Sequence, residues 1–383
     1  MTILRLLLKT LSAMLLVAHA HAASAAQPET LAIGAAAPDF SLPGIDPDSY
    51  EEQIYALADF AAAEVLAIVF TCNHCPTAQA YEERIKRLAA DYRDRGVAVV
   101  AVSPNDAEAV RLDELGYTDL GDSLDDIQIR ARDHEFNFPY LYDGEKQAMS
   151  QAYGPVATPH VFLFDRDRKL RFCGRIDDHE NPAQTKTHDT RNAVGALLAG
   201  QAVPVETTRT FGCSIKWADK RQSAANALAN WDRETAKLET IGAAGIRELV
   251  ANETDKLRVI NVWATHCGPC VTEFPELVTI HRMYRRREFE LITLAADPPE
   301  NRDAVLKFLN ERHASTTNYI FDQDDPYKLA DALDVEWPGA LPFTLVIKSG
   351  GKVVYQQMGP VEPLDLRRVI VDELSRYYFK IPK

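Results

Sequence analysis

Two short cysteine motifs dominate the chemistry open to this 383-residue chain: Cys72-Asn73-His74-Cys75 and Cys267-Gly268-Pro269-Cys270. Thiols at this spacing, placed at the start of a helix, are suited to dithiol–disulfide exchange. A helix N-terminus offers unpaired N–H groups and the positive end of the macrodipole, and both favour an anion. A thiol there drops from a pKa of about 8.5 into a range of about 3.5–7.5 and becomes nucleophilic near neutral pH. The other thiol, one turn on, resolves the mixed disulfide. On this reading Cys72 and Cys267 attack, while Cys75 and Cys270 resolve.

Positioning these thiols requires a strand before each motif and a helix after it. Val65–Phe70 is an apolar run that predicts a buried strand. Ala78, Tyr81, Ile85, Leu88 and Tyr92 then step by three and four, as one face of a helix does. Gly96 stops that helix and a strand follows over 97–102. A turn at Ala157-Thr158-Pro159, strands over 161–164 and 170–176, and a helix over 189–198 close the half. The second half repeats the order. A strand over 257–262 leads to the motif, and the next helix carries Phe274, Leu277, Val278 and His281 on one face. A strand over 289–295, a helix around 303–309, Leu341-Pro342, a hairpin over 344–357 and a terminal helix near 364–377 complete it. Alternating strands and helices that end in a hairpin and a helix predict an α/β protein, with a central mixed sheet flanked by helices in each half. Between the halves, Ala224, Leu228, Trp231 and Leu238 predict an amphipathic helix over 218–238 that docks on one domain.

Trp263-Ala264-Thr265-His266-Cys267-Gly268-Pro269-Cys270, followed by Glu273-Phe274-Pro275, resembles exported thioredoxins of the TlpA/ResA type. Phe70-Thr71-Cys72-Asn73-His74-Cys75-Pro76, with Thr158-Pro159-His160-Val161-Phe162, resembles AhpC/TSA-type redoxins. The resemblance implies two thioredoxin-like domains with thiol–disulfide oxidoreductase activity and no cofactor. The expected organisation is a signal peptide over 1–26, a redoxin domain over 34–205, a connecting segment over 206–240 and a thioredoxin-like domain over 241–383. The resemblance further implies that Pro159, after Thr158, and Pro342, after Leu341, are cis, face the sulfurs and bind a partner's backbone. A cis X–Pro bond costs only about 0.5–1 kcal/mol, so tertiary context can fix it. Two positions depart from thioredoxin. His266 stands where Trp is usual, which alters the docking surface, and Asn261 stands where a buried Asp helps to move protons, so that acid–base role is lost. Gly268-Pro269 matches thioredoxin, a reducing couple near about −270 mV. His74 beside the first thiolate favours the reduced form and makes that pair more oxidising. Electrons would then run from Cys267/Cys270 to Cys72/Cys75.

The start of the chain has a basic residue at Arg5, a short apolar stretch and small residues up to Ala26, the order of a secretory signal. Cleavage after Ala22 or Ala26 would deliver the protein to the periplasm or the exterior, with no membrane span left. A net charge of −14 argues against a nucleic-acid partner, because phosphate binding needs a basic face. The expected partners are cysteine-containing proteins and a thiol–disulfide electron donor, and the oligomeric state is left open. Other uses of the same residues are a zinc site, a copper carrier using Cys72, His74, Cys75 and His160, and a thiol peroxidase. The two pairs lie too far apart for a zinc ribbon, and no metal is expected. Cys75-Pro76-Thr77 lacks the upstream Pro and Thr of a peroxide-reacting site. Cys173 and Cys213 are outside both motifs. Cys173 reads as an inert buried thiol, and Cys213 as a third exchange partner or a bridge to Cys173.

Overall fold

The computed structural model describes residues 27–379, apart from Glu336. The expected signal peptide therefore lies outside the described residues. The first half contains strands β1 (Ser41–Ile45), β2 (Glu52–Ala56), β3 (Val65–Phe70), β4 (Val97–Ser103), β5 (Tyr140–Tyr142), β6 (His160–Phe164) and β7 (Leu170–Gly174). Its helices are α1 (Pro76–Tyr92), α2 (Leu124–Asp133), α3 (Ala148–Tyr153) and α4 (Asp189–Leu198). The seven strands form one sheet in the order β2-β1-β5-β4-β3-β6-β7. β3 and β4 are parallel, and β6 returns antiparallel to β3. Every residue of β3 is buried because both sheet faces are covered. Val65, Ala67 and Val69 pack with Tyr81, Ile85 and Leu88 of α1. Leu66, Ile68 and Phe70 pack on the other face with Met149 and Tyr153 of α3.

After α5 (Arg221–Trp231), the second half contains β8 (Glu239–Ile241), α6 (Ala243–Ala251), β9 (Leu257–Trp263), α7 (Gly268–Tyr284), β10 (Phe289–Ala295), α8 (Arg302–Glu311), β11 (Thr317–Phe321), α9 (Pro326–Leu333), β12 (Phe343–Ile347), β13 (Val353–Met358) and α10 (Pro363–Leu374). Its sheet has the order β13-β12-β9-β10-β11-β8, again mixed and helix-covered. In both sheets the strand that leads to the cysteines lies between a parallel partner and the antiparallel strand that follows the proline. That topology brings the Cys-x-x-Cys loop and the proline loop to the same end of the sheet.

The connecting helix differs from expectation. It spans only Arg221–Trp231, buries no residue and leaves Leu228 41% exposed. Leu238 lies beyond it, in the core of the second half. The chain after α5 is held to α7 by Arg282–Asp232 at 2.8 Å and Arg285–Glu234 at 3.0 Å, which ends the helix early. Arg221 meanwhile pairs with Asp106 at 2.5 Å. The segment thus bridges the two halves where docking on one was expected.

The halves also meet directly. Leu115, between β4 and α2, packs into the second core against residues of α7 and α10. Tyr284 Oη donates to Thr118 O at 2.8 Å, Arg286 pairs with Asp113 at 2.6 Å, and Arg376 pairs with the buried Asp119.

Candidate active site

In the first half, Cys75 is the residue that caps α1. The helix begins at Pro76, and Ala78 N–H donates to Cys75 Sγ at 3.4 Å. Proline favours the first helical position because its missing N–H would have no partner there. In the second half the cap is Cys267: α7 begins at Gly268, with Pro269 in its first turn, and Cys270 N–H donates to Cys267 Sγ at 3.3 Å. The expectation that the first cysteine of each motif sits at the helix N-terminus therefore holds at Cys267 and is reversed at Cys72/Cys75. The signal was in the sequence, since one proline follows its motif and the other lies inside it.

Cys72 and Cys75 are buried free thiols, 2% and 0% exposed. Burial alone would raise the Cys75 pKa. Hydrogen bonds from Cys213 and Cys72, the cationic His74 and the Ala78 N–H outweigh it and hold Cys75 well below the ordinary thiol range. Cys72 moves the other way, raised by burial, by its bond to Cys75 and by the negative charge of Asp122. Of the two motif thiols, Cys75 is accordingly the one whose thiolate is favoured.

Asp122 organises the dipeptide between the two thiols. Its Oδ1 accepts from the N–H of Asn73 at 2.9 Å and of His74 at 3.2 Å, and its Oδ2 lies 2.5 Å from His74 Nδ1. Asn105 Nδ2 donates to the same Oδ2 at 2.8 Å. Burial disfavours both charges, but attraction prevails, raising the His74 pKa and lowering that of Asp122. One ligand atom each of Cys72, His74 and Asp122 falls within 4.8 Å of the others, the one potential metal-ligating cluster among the described residues. The ring nitrogen and carboxylate are, however, already paired with each other. His160 does not join this cluster: its Nε2 lies 3.1 Å from Cys173 Sγ and its Nδ1 accepts from Val156 N–H. The copper alternative weighed from sequence, with His160 joining Cys72, His74 and Cys75, is therefore not assembled.

Thr158-Pro159 and Leu341-Pro342 are both cis. Thr158 Oγ1 lies 3.1 Å from Cys72 Sγ, and Thr158 O lies 3.4 Å from Cys75 Sγ. Cys213 forms a backbone bridge with Thr158 and packs against Cys72, Cys75 and Ala78. Cys173 remains apart, buried beside His160, its thiol pushed up to about 12 by burial. No Cys173–Cys213 bridge is present, because Cys213 is held on Thr158 and Cys173 on Thr207. Asp122 and the placement of Cys213 were not read from sequence.

The second site is more open. Cys267 and Cys270 form a disulfide, with Cys270 buried, Cys267 partly exposed, and His266, Gly268 and Pro269 exposed. Leu341 packs on the cluster that contains Cys267 and Cys270. His266 Nδ1 lies 3.9 Å from the buried Asp297. Beneath the cysteines, Asn261 Nδ2 donates to Glu273 Oε1 and to Thr344 Oγ1, each at 3.0 Å. Glu273 follows Cys270 by one turn, on the same face of α7. Burial raises its pKa, and the bonds from Val361 N–H and Asn261 do not offset this. A buried carboxyl is thus present although the strand position holds Asn261.

Residues 33–173 match the AhpC/TSA family, and residues 245–370 match the Redoxin family. The chain is a tandem of an AhpC/TSA domain and a Redoxin domain. The thiol-disulfide oxidoreductase ResA of Bacillus thuringiensis (strain Al Hakam) is 33% identical over 100 residues, 26% of this chain and 53% of ResA. The thiol:disulfide interchange protein HelX of Rhodobacter capsulatus is 23% identical over 136 residues, 35% of this chain and 70% of HelX. The chain spans about half the length of the ResA relatives it matches. Among solved structures, an uncharacterized conserved protein from Geobacillus kaustophilus is 34% identical with a TM-score of 0.44, covering 50% of this chain and 95% of that one. A hypothetical protein from Sinorhizobium meliloti 1021 is 33% identical with a TM-score of 0.43, covering 50% of this chain and 98% of that one.

The AhpC/TSA and Redoxin sites lie toward opposite ends of α7. Cys267 caps its first turn, while Tyr284, in its last turn, bonds to Thr118 of the AhpC/TSA domain. A 17-residue helix is about 25 Å long at 1.5 Å per residue.

Proposed function

We propose that this is an exported thiol–disulfide oxidoreductase that exchanges dithiols and disulfides with cysteine-containing proteins at both sites. The observation that carries the reading is the repeated arrangement of a cysteine capping a helix, a second cysteine beside it, and an X–Pro loop close to both. In the first site Cys75 supplies the thiolate. In the second, Cys267 attacks, Cys270 resolves, and Glu273 takes the proton that the buried thiol must release. Export rests on the sequence of residues 1–26, and no helix among the described residues is long and apolar enough to cross a membrane. Thr77 Oγ1 donates to Glu180 at 2.8 Å, so its hydroxyl is engaged away from Cys75, which favours thiol exchange over peroxide reduction.

A relay between the domains fits this arrangement through a diffusing thiol carrier, because α7 holds the two sites apart. The deciding experiment is insulin reduction by the full chain and by its Cys75→Ser and Cys267→Ser variants. Each variant should lose the contribution of one site. Absence of turnover in the wild type would overturn the reading.

A further inference from the structure

The AhpC/TSA site contains three thiols, and neither Cys72 nor Cys75 offers much surface to a protein partner. Cys213 is the partly exposed member of the group. Its position is built into the fold. Cys213 N–H donates to Thr158 O at 3.3 Å, and Thr158 N–H donates to Cys213 O at 2.9 Å. The preceding Gly212 has φ +140°, and a Cβ there would lie 1.9 Å from Thr158 O. Only glycine lets the strand approach this closely. The same Thr158 faces Cys72 through Oγ1 and Cys75 through its carbonyl, so one residue gathers all three sulfurs. The Cys213 side chain packs directly against Cys72 and Cys75.

We propose that Cys213 is the partner-facing thiol of the first site and forms a disulfide with Cys75, alongside the Cys72–Cys75 pair. This deepens the exchange reading above and rests on it. In the oxidised protein, a partner thiolate attacks the Cys213 sulfur. The Cys213–partner bond forms, the Cys75–Cys213 bond breaks, and the electron pair leaves on Cys75. A second partner thiolate then attacks the partner's sulfur in the mixed disulfide and releases Cys213, which takes up a proton. Two partner thiols are oxidised to one disulfide, and one protein disulfide is reduced to two thiols. The reverse direction begins with attack by Cys213 on a partner disulfide and ends with resolution by Cys75. A stabilised thiolate is the better leaving group in such an exchange, and the cap of α1 stabilises Cys75. Cys72 exchanges with the same Cys75 sulfur from the interior and returns Cys213 to the free thiol.

The test uses the full chain carrying Cys267→Ser and Cys270→Ser, so that only the first site is read. It is treated with oxidised glutathione, its free thiols are blocked, and its disulfides are mapped by mass spectrometry. The otherwise unaltered site should yield a Cys75–Cys213 peptide in addition to Cys72–Cys75. Adding Cys72→Ser should leave one disulfide, Cys75–Cys213, and adding Cys75→Ser should place glutathione on Cys213. If Cys72→Ser stays fully reduced while Cys213→Ser forms Cys72–Cys75 at the unaltered rate, exchange stands and Cys213 only packs. If no pair forms in any variant, the exchange reading for this site falls with it. Mapping of the unaltered site does not depend on the folding of any variant there.

Discussion

At the residue scale, the place of one proline goes with which sulfur of a Cys-x-x-Cys motif caps the helix. Pro76 starts α1 immediately after Cys75, so the helix cap and the cationic His74 both act on the second thiol of its motif. Replacing His74 with Gln removes the cation, so the Cys75 pKa should rise. The rise is readable as an upward shift of the ultraviolet thiolate absorbance of Cys75 in a pH titration, a readout that needs no access to the buried sulfur. The His74–Asp122 pair also links folding to pH. His74 has a raised pKa in the fold, so its stabilisation is complete below about pH 6.5 and is lost as pH rises through the folded value. Asp122 has a lowered pKa, so its contribution is present above about pH 3.9 and is lost as pH falls through the folded value. The Tm difference between wild type and a His74→Gln/Asp122→Asn variant, followed across pH, should therefore narrow toward both extremes. A flat difference would contradict the pairing.

At the scale of elements, the strands that carry each motif were legible because β3 and β9 are unbroken buried runs. α1 was legible from apolar spacing and from Gly96 at φ +81°. Elements that lie at sheet edges or expose one face, such as β2 with its three exposed residues and β8 with two, gave no comparable signal. Cys213 was named from sequence with two alternatives open, and its bridge to Thr158 places it away from Cys173 and beside the motif. Gly212 marks that bridge. Gly212→Ala should cost at least about 1–3 kcal/mol from backbone strain alone, lower the thermal midpoint, and remove Cys213 from the reach of Cys75. In α7, Glu273 supplies the carboxyl that the strand lacks. Glu273→Gln should slow reduction of a partner disulfide by the reduced Cys267/Cys270 pair by about 100-fold, the lower end of general acid–base effects. It should also erase the acid-side step of the pH–rate profile, which a purely packing role would leave in place.

At the scale of the whole molecule, the domains are joined by charge as well as by the packing of Leu115. Arg376 pairs with Asp119, and Arg368 pairs with Asp133 at 2.5 Å. Asp119→Ala leaves the largely buried Arg376 without its main partner, and loss of one member of a buried pair costs about 3–5 kcal/mol. Hydrogen exchange should accelerate over residues 115–122 and 370–379 together. The proposed relay through a carrier makes a kinetic prediction. With one site reduced and the other oxidised, equilibration should be first order in added small-thiol carrier and negligible without it. A carrier-independent, unimolecular rate would show that the domains reorient.

Arg376 also anchors the residues that follow it. Tyr378 lies against Tyr117, with ring centroids 4.9 Å apart, and is near enough to Cys213 for each group to shift the titration of the other. The end of the second domain thus lies near a sulfur of the first. Trimming by a carboxypeptidase, or a purification tag fused to the C-terminus, would ordinarily be harmless at the end of a chain. Here either change alters the surroundings of a thiol in the other domain, so an affinity handle belongs elsewhere when that thiol is to be measured.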